Sequence, residues 1–562
     1  MNKISSTLFF LLTIISIETY SQASLPIDDK GWHLMDKNES GFYGISLEKA
    51  YSELLKNTTP KKKVIVAIID SGIDTLHEDL QSVLWKNKKE IPGNKIDDDK
   101  NGYTDDIYGW NFLGGKDGRN VTKDSYEGAR IYYKFKSKFD EKTINETNLS
   151  GDDLIDFRNY TKSKVQIETQ AKEASMYVMI LKDIVAKLPY SDSILQKEMN
   201  KAEYTGDELE IFKPQSLEAI KAKSVFLGLY QQTRQMEMSN VRLINELVGF
   251  YDGQKSKLEI LEKGPEEYRQ NIVKDNYNDA TDRYYGNNDV MATGADHGTH
   301  VAGIIGADRK NSIGMSGVAN NVELMILRAV PDGDEHDKDI ANAIRYAVDN
   351  GAWVINMSFG KSFSPEKKWV DDAVKYAESK NVLLVHAAGN DSKNIDIEDN
   401  FPSGNFNDDT LRSFSNWITV GASGLKIDGL AAEFSNYGKR EVDVFAPGVD
   451  IYSSLPGGNK YGKQDGTSMA SPVVAGLAAL LLSYFPELSA KQVKEIIEVS
   501  SQKIIDEKIL KPRTENEMVN FNELSKSGGI INAFNAIKIA QSYKGDRKLQ
   551  VSNSPSTKNK IK

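Results

Sequence analysis

A serine stands directly before a long apolar segment near the end of the chain. Residues 466–472 read Gly-Thr-Ser-Met-Ala-Ser-Pro, and the following stretch, Val473–Leu482, is almost wholly apolar. Pro472 suits the first turn of a helix, where a missing N–H costs nothing. Since unpaired N–H groups and the helix dipole favour negative charge at a helix N-terminus, we predict a buried helix that presents Ser468 as a nucleophile for acyl transfer. A simple helix cap is the alternative role for a single serine at such a position.

Two further motifs supply a carboxylate and an imidazole. The β-branched run Val64–Ile69 ends in Asp70 and predicts a central parallel strand that delivers this aspartate at its C-terminal end. Ligands of open α/β sheets bind at that edge. The motif His-Gly-Thr-His at 297–300 begins a second apolar helix pattern, with His297 in its first turn. Asp, His and Ser therefore follow one another in a single chain order.

These three motifs, in this order, resemble those of the subtilisin-like serine proteases, the subtilase or peptidase S8 family. The resemblance covers about 41–541 and is interrupted once. It implies an α/β, three-layer fold with a mostly parallel central sheet. It also implies that Ser468 attacks a peptide carbonyl, His297 transfers the proton and Asp70 orients the imidazole.

The same resemblance assigns residues around the triad. Asn390 follows the apolar run 382–389 and matches the family's oxyanion-hole amide, although a turn residue is the alternative for an asparagine after glycine. The strand-like segment 353–360 is expected to pair with extended peptide. The first specificity pocket would have two walls, Ser358, Phe359 and Gly360 on one side and Ala387, Ala388 and Gly389 on the other. His300 and His386 lie in apolar runs, and we expect both to be structural.

Two segments are candidate calcium sites, because oxygen ligands suit a hard cation. Asp79 matches the aspartate that binds a structural calcium in many family members, with the expected partners Asn311, Ile313 and Met315, the last two through their carbonyls. Lys310 beside this loop leaves its occupancy open.

The second calcium candidate is an aspartate-rich loop at 97–106. Asp97, Asp99, Asn101 and Asp105 occupy positions one, three, five and nine of an EF-hand-like loop. Tyr108 stands where the bidentate glutamate belongs, so the loop cannot be a standard EF-hand. A solvated turn is the alternative interpretation.

The composition is that of an exported globular protein. The chain has 562 residues, a net charge of −10 and no cysteine, so it contains no disulfides and no lipid anchor on an N-terminal cysteine. The acidic balance disfavours nucleic acid as a partner. An apolar run at 8–17 after Lys3 is typical of a signal-peptide core and too short to span a bilayer, although an uncleaved anchor is the alternative.

We expect five regions along the chain. They are a signal peptide at 1–23, the first part of the catalytic domain at 24–113, a mainly helical insertion at 114–285, the rest of the catalytic domain at 286–543 and a disordered tail at 544–562. The mature-like segment 42–46 follows the leader closely, so we expect no N-terminal pro-domain.

The insertion should consist of amphipathic helices. Apolar residues recur every three or four positions over 165–188 and again over 217–247, and Pro189 is expected to end the first helix. Because both ends of the insertion connect to triad-bearing segments, we expect its helices to stand near the active-site rim and to restrict the cleft.

The sequence therefore predicts an exported serine endopeptidase that is secreted, periplasmic or on the cell surface. We expect protein or peptide substrates, no stable membrane span after removal of the signal peptide, a monomer, and calcium as a structural cofactor that the chemistry does not need. An inactive relative that binds peptides in the same groove is the competing class. A nucleotide-binding protein is a third, although no glycine-rich phosphate loop follows the strand before Asp70.

Overall fold

A computed structural model describes residues 29–140, 144–233, 236, 238–406, 413–505, 507–514 and 516–548. The expected signal peptide and positions 549–562 of the expected tail lie outside these residues. The strands are β1 Val64–Asp70, β2 Gly109–Asn111, β3 Val322–Arg328, β4 Val354–Met357, β5 Leu383–Ala387, β6 Trp417–Ser423, β7 Val444–Pro447, β8 Ile451–Leu455, β9 Lys460–Gln464, β10 Gln502–Lys503, β11 Lys508–Leu510, β12 Met518–Asn520 and β13 Gly529–Ile530.

The helices divide between the catalytic domain and the long stretch after β2. They are α1 Lys37–Ser40, α2 Leu47–Lys49, α3 Glu127–Phe139, α4 Gly151–Met199, α5 Gly206–Ile211, α6 Leu217–Thr233, α7 Asn240–Lys263, α8 Tyr268–Ile272, α9 Asp296–Gly306, α10 Asp337–Asp349, α11 Lys367–Ser379, α12 Thr467–Tyr484, α13 Ala490–Ser500 and α14 Ala533–Ser542. Short helical turns cover Asp29–Leu34, Ala50–Leu54, Gln81–Val83, Glu146–Asn148 and Phe521–Glu523.

The central sheet has nine strands among the described residues, in the order β10-β13-β7-β6-β5-β4-β1-β3-β2. All neighbours are parallel except β10, which is antiparallel to β13. One face packs against α9, α12, α13 and α14, and the other packs against α10 and α11. The predicted α/β class with a mostly parallel central sheet is therefore confirmed.

The helix that carries Ser468 is buried along almost its whole length. Every residue of α12 except Ser468 is buried. Its length and composition would also suit a membrane span, but 94% of its apolar window is buried within the protein. Apolar packing around α12 therefore fixes the position of its first turn.

The insertion, 114–285, contains α3 to α8. Its longest helix, α4, packs against α3, α6 and α7. A separate apolar cluster includes Leu188, Leu195, Phe226 and Leu243. The prediction that Pro189 ends the helix is wrong, because α4 continues to Met199. A proline inside a helix costs roughly 3 kcal/mol, and burial of Leu195 beyond it offsets that cost.

Candidate active site

Asp70 and His297 come together at the C-terminal edge of the sheet. Asp70 ends β1 and is 2% exposed, and His297 lies in the first turn of α9. The imidazole Nδ1 donates to the Asp70 carboxylate at 2.7 Å. Gly298 permits this approach, since a Cβ at that position would lie 2.2 Å from the carbonyl oxygen of Gly72. A larger residue would push α9 away from β1.

The environment of His297 changes its basicity in two opposing ways. Burial lowers the pKa of the imidazole, but the charge of Asp70 and the hydrogen bond with it outweigh this effect. The pKa of His297 is consequently raised above its usual value of 6.5. The side chain remains 38% exposed, so it is accessible from the cleft.

Ser468 is held by the strand beside β1. Its hydroxyl donates to the carbonyl of Ser358 at 3.1 Å, and the Ser358 hydroxyl donates to the carbonyl of Ser468 at 2.9 Å. Among the described residues the Ser468 hydroxyl therefore bonds to Ser358 and not to the imidazole. Ser358, the hydrogen-bond partner of Ser468, lines the same cavity of about 330 Å³ as Asp70 and His297. Catalytic hydrogen bonds often tighten only when substrate is present.

A buried polar chain positions the start of α12. The Asn356 side-chain amide nitrogen donates to the Ser358 hydroxyl at 3.0 Å, and the Ser471 hydroxyl donates to the Asn356 side-chain oxygen at 2.9 Å. Asn356 and Ser471 are fully buried. Sequence reasoning missed both, although Asn356 is a polar residue within an apolar strand and could have been flagged on that ground.

Asn390 faces the same helix terminus. Its side-chain oxygen accepts hydrogen bonds from the backbone N–H and the hydroxyl of Thr467, at 2.9 and 2.8 Å. A point at the Cβ position of Gly466 would lie 3.5 Å from both the Asn390 amide nitrogen and the Ser468 backbone nitrogen. The two N–H donors therefore border one small space, as the stabilisation of an oxyanion requires.

The two predicted pocket walls are both at this edge of the sheet. Ser358–Gly360 follows β4. Ala387 is the last residue of β5, the parallel neighbour of β4, and Ala388 and Gly389 follow it. A Cβ at Gly360 would lie 3.2 Å from the Asn400 side-chain oxygen, and one at Gly389 would lie 3.3 Å from it. The Asn400 amide, which the sequence did not single out, thus lies between the walls.

Asn436 holds the loop that carries Asn390. Its amide donates to the carbonyl of Ala388 at 2.8 Å, and its side-chain oxygen accepts the N–H groups of Asp391 and Lys393. The residue is fully buried. No local sequence signal distinguishes Asn436, because its partners lie more than forty positions away.

The other two histidines named above are structural in their surroundings. Nε2 of His300 lies 3.1 Å from the carbonyl of Gly462, and Nε2 of His386 lies 2.8 Å from the carbonyl of Phe359. Both are buried, and burial lowers the pKa of each to about 4. Neither imidazole is placed to serve as the base.

The structure brings Asp79 and the 311–315 loop together through hydrogen bonds. The Asp79 carboxylate accepts the Asn311 amide at 2.7 Å, the Met315 backbone N–H at 3.1 Å and the Tyr461 hydroxyl at 3.3 Å. The Asn311 oxygen accepts the N–H of Ile313. In this arrangement the Asp79 carboxylate faces hydrogen-bond donors, whereas calcium requires oxygen ligands directed at the ion.

The aspartate-rich loop brings three carboxylates close together. One carboxylate oxygen each from Glu90, Asp97 and Asp99 lie within 4.8 Å of one another. The Asp105 carboxylate instead accepts the N–H groups of Gly93 and Lys95, at 2.9 Å each.

The Asn101 side chain, a predicted ligand, bonds to other groups, and the sequence did not single out Glu90 as a ligand. The Asn101 oxygen accepts the N–H of Tyr103 and its amide donates to Asp106. Glu90 precedes the loop outside any motif spacing, so only the fold brings it to Asp97 and Asp99. A cluster of three carboxylates suits a hard divalent cation.

Comparison with known proteins agrees with this geometry. Residues 61–523 match the model of the subtilase family, Peptidase_S8. The chain is 44% identical over 209 residues to a thermophilic serine proteinase of Bacillus sp. (strain AK1), covering 37% of this chain and 47% of that protein. It is 37% identical over 253 residues to the major intracellular serine protease of Bacillus subtilis (strain 168), covering 43% of this chain and 73% of the relative.

The mostly parallel sheet makes this an α/β protein, with an aspartate, a histidine and a serine carried by β1, α9 and α12. The family match covers most of the chain. The protein belongs to the subtilase family.

Proposed function

We propose that this protein is an exported serine endopeptidase that hydrolyses peptide bonds through an acyl-enzyme. The observation that carries the proposal is the 2.7 Å hydrogen bond between His297 and Asp70, at a cavity also lined by Ser358, to which the Ser468 hydroxyl bonds. The family's proteases support the assignment, although the match covers only about half of the thermophilic relative, at 47%.

The proposed reaction has two stages. The Ser468 oxygen attacks the peptide carbonyl while His297 takes its proton, and the Asn390 amide and the Ser468 N–H stabilise the oxyanion. The C–N bond then breaks as His297 returns the proton to the leaving amine. Water, deprotonated by His297, hydrolyses the ester and regenerates the serine.

A fluorophosphonate probe tests the nucleophile directly. We expect the wild-type protein to be labelled and both Ser468→Ala and His297→Ala to lose labelling. Ser483→Ala is the matched control, since Ser483 lies on the same helix and bonds within it to the carbonyl of Leu480. Labelling that survives in Ser468→Ala would refute the proposal. An unlabelled, folded wild type would favour the peptide-binding alternative.

We further propose that calcium, where bound, is structural and is held by Glu90, Asp97 and Asp99. The ion would neutralise three clustered carboxylates and would supply no chemistry to the triad. Export is proposed from the leader-like sequence at 1–23, which is outside the described residues. N-terminal sequencing of the protein recovered outside the cytoplasm tests export. The mass of the protein in solution tests the expected monomer.

A further inference from the structure

The cavity beside the proposed triad is bounded by the insertion. The residues that line this space of about 330 Å³ include Asp70, His297 and Ser358, the segment Val330–Asp332, and Thr122 from the insertion. If the proposed function holds, the residues that precede the cut bond lie between two rims, the segments 330–335 and 358–361. The inference rests on that function and concerns how many residues these rims accept.

The insertion already occupies one edge of the first rim. The N–H of Asp124 donates to the carbonyl of Asp332 at 3.0 Å, and the N–H of Asp332 donates to the carbonyl of Thr122 at 2.8 Å. Gly333 has a φ of +137°, and a Cβ there would lie 2.1 Å from the carbonyl oxygen of Asp124. The glycine therefore permits the insertion to pack directly on this rim.

A buried ion cluster joins the two rims at their far end. The Lys361 ammonium donates to Glu127 at 2.9 Å and to the carbonyl of Glu335 at 2.8 Å, and it lies 2.8 Å from Asp337. Arg130 donates to the same Glu127 carboxylate at 2.6 Å. Lys361 thus contacts both the insertion and the opposite rim. We call Lys361, Glu127, Arg130, Asp337 and the Glu335 carbonyl the Lys361 cluster.

The ion pair of Lys361 and Glu127 is buried, and its surroundings favour the charged form of Lys361. The side chains of Lys361 and Glu127 are 1% and 5% exposed. Burial lowers the pKa of Lys361, but the charges of Asp337 and Glu127 outweigh this and raise it. Breaking a buried pair by removing one partner is strongly unfavourable, so the rims remain joined in the folded protein.

We infer that the insertion closes the acyl side of the cleft at Lys361, so that the rims hold about three substrate residues before the cut bond. Ser358 and Lys361 are three positions apart, and an extended strand rises roughly 3.3 Å per residue, which gives roughly 10 Å of pairing length. A fourth residue meets the Lys361 cluster and must turn out of the cleft. The protein therefore selects substrates by the residues nearest the cut.

The wild-type protein provides the first test. Peptide anilides with two, three, four and five residues before the anilide, identical in the two nearest the cut, are compared by kcat/KM. We expect a rise from two residues to three, and a change smaller than about twofold from three to five. A rise of about tenfold between three and five, equivalent to one good hydrogen bond, would overturn the inference.

A pair of double variants tests the cause. Glu127→Ala with Lys361→Ala removes the ion pair between the insertion and the second rim, and with it the Lys361 contact to the first rim. It should let the fourth residue raise kcat/KM about tenfold. Asp275→Ala with Lys338→Ala is the matched control, because it removes another buried ion pair, at 2.7 Å, between the insertion and α10. The control should keep the wild-type length profile.

The outcomes separate the two proposals. If the first double variant folds and its length profile stays flat, the Lys361 cluster does not end the cleft and the inference fails. If that variant does not fold, the length profile of Glu127→Ala alone and that of the wild type decide whether the inference holds. If no peptide is cleaved and the fluorophosphonate does not react, the proposed function itself fails. Cleavage with a strong dependence on the fourth and fifth residues refutes the inference alone.

Discussion

The catalytic domain and the insertion are held in place by different interactions. Around α12 the core is apolar and close-packed, and Ser468 is the one residue of that helix that is not buried. The insertion exposes large apolar side chains such as Met179 and Ile211, at 75% and 80%. Near both ends the insertion is joined to the core by apolar contacts of Val121, Val273 and Tyr285. Buried charges add to these contacts, Glu127 with Lys361 and Arg269 with Asp339.

This difference separates two tasks. Apolar packing is insensitive to direction but fixes distances, as the proposed triad of Ser468, His297 and Asp70 requires. Buried ion pairs require a specific geometry on both sides, so they fix where the insertion stands relative to the cleft. We therefore expect changes in the core to affect the rate, and changes at the insertion's base to affect stability and substrate length.

The largest expected effect is the loss of the nucleophile. Ser468→Ala should lower kcat by about 10⁶, and adding His297→Ala should cost little more, because the residues of such a unit act together. Far-ultraviolet circular dichroism should be unchanged in both. Kinetics on one peptide anilide measure the effect, and additive losses in the double variant would show that the two residues do not act together.

Replacement of the orienting carboxylate, Asp70, should have the next largest effect on the rate. Asp70→Asn should lower kcat by about 10⁴. Activity requires a neutral imidazole, so in the wild type it should fall as pH drops through the raised pKa of His297, above 6.5. Without the Asp70 charge this acid limb should move to lower pH. Profiles of kcat/KM against pH measure both effects, and an unmoved limb would contradict the assigned cause.

At the insertion's base, Arg269→Met should lower the free energy of unfolding by about 3–5 kcal/mol, because it leaves the buried Asp339 carboxylate without its cation. Arg242→Met is the matched control, since Arg242 is 65% exposed and pairs with Glu246 at the surface. The control should change stability by less than about 0.5 kcal/mol. Denaturant titration followed by circular dichroism compares the free energies of unfolding of the two variants. Equal effects would show that the buried ion pair contributes no more to stability than the surface pair.

Loss of the oxyanion donor should have a smaller effect on the rate. Asn390→Ala should lower kcat by about 10²–10³ with little change in KM. Thr467→Val removes one of the two donors to the Asn390 oxygen and leaves the backbone N–H in place, so its loss should be smaller. Steady-state kinetics separate them. A KM effect without a kcat effect would show that Asn390 binds substrate instead.

The smallest effect should come from calcium. Saturation at one hundred times Kd would stabilise the fold by about 2.7 kcal/mol, so chelation should lower Tm. Glu90→Gln and Asp97→Asn should abolish this response, whereas Asp79→Asn should retain it. Differential scanning calorimetry with and without chelator measures each variant. A calcium response that depends on Asp79 alone would reverse the choice between the two sites.

Local sequence signals predicted the elements whose pattern is strong. β1, α9 and α12 lie where the motifs placed them, because apolar runs and helix-start residues act over short range. The course of α4 through Pro189 was not predictable, since packing of Leu195 against α6 and α7 decides it. Glu90 and Asn436 act through partners brought by the fold, and no spacing in the sequence signals them.

The continuous course of α4 also affects how the molecule moves in solution. Its 49 residues, at 1.5 Å each, make a rod of roughly 74 Å. A particle that carries such a rod tumbles and sediments more slowly than a sphere of its mass. Small-angle scattering would register the arm as a long tail in the distribution of interatomic distances.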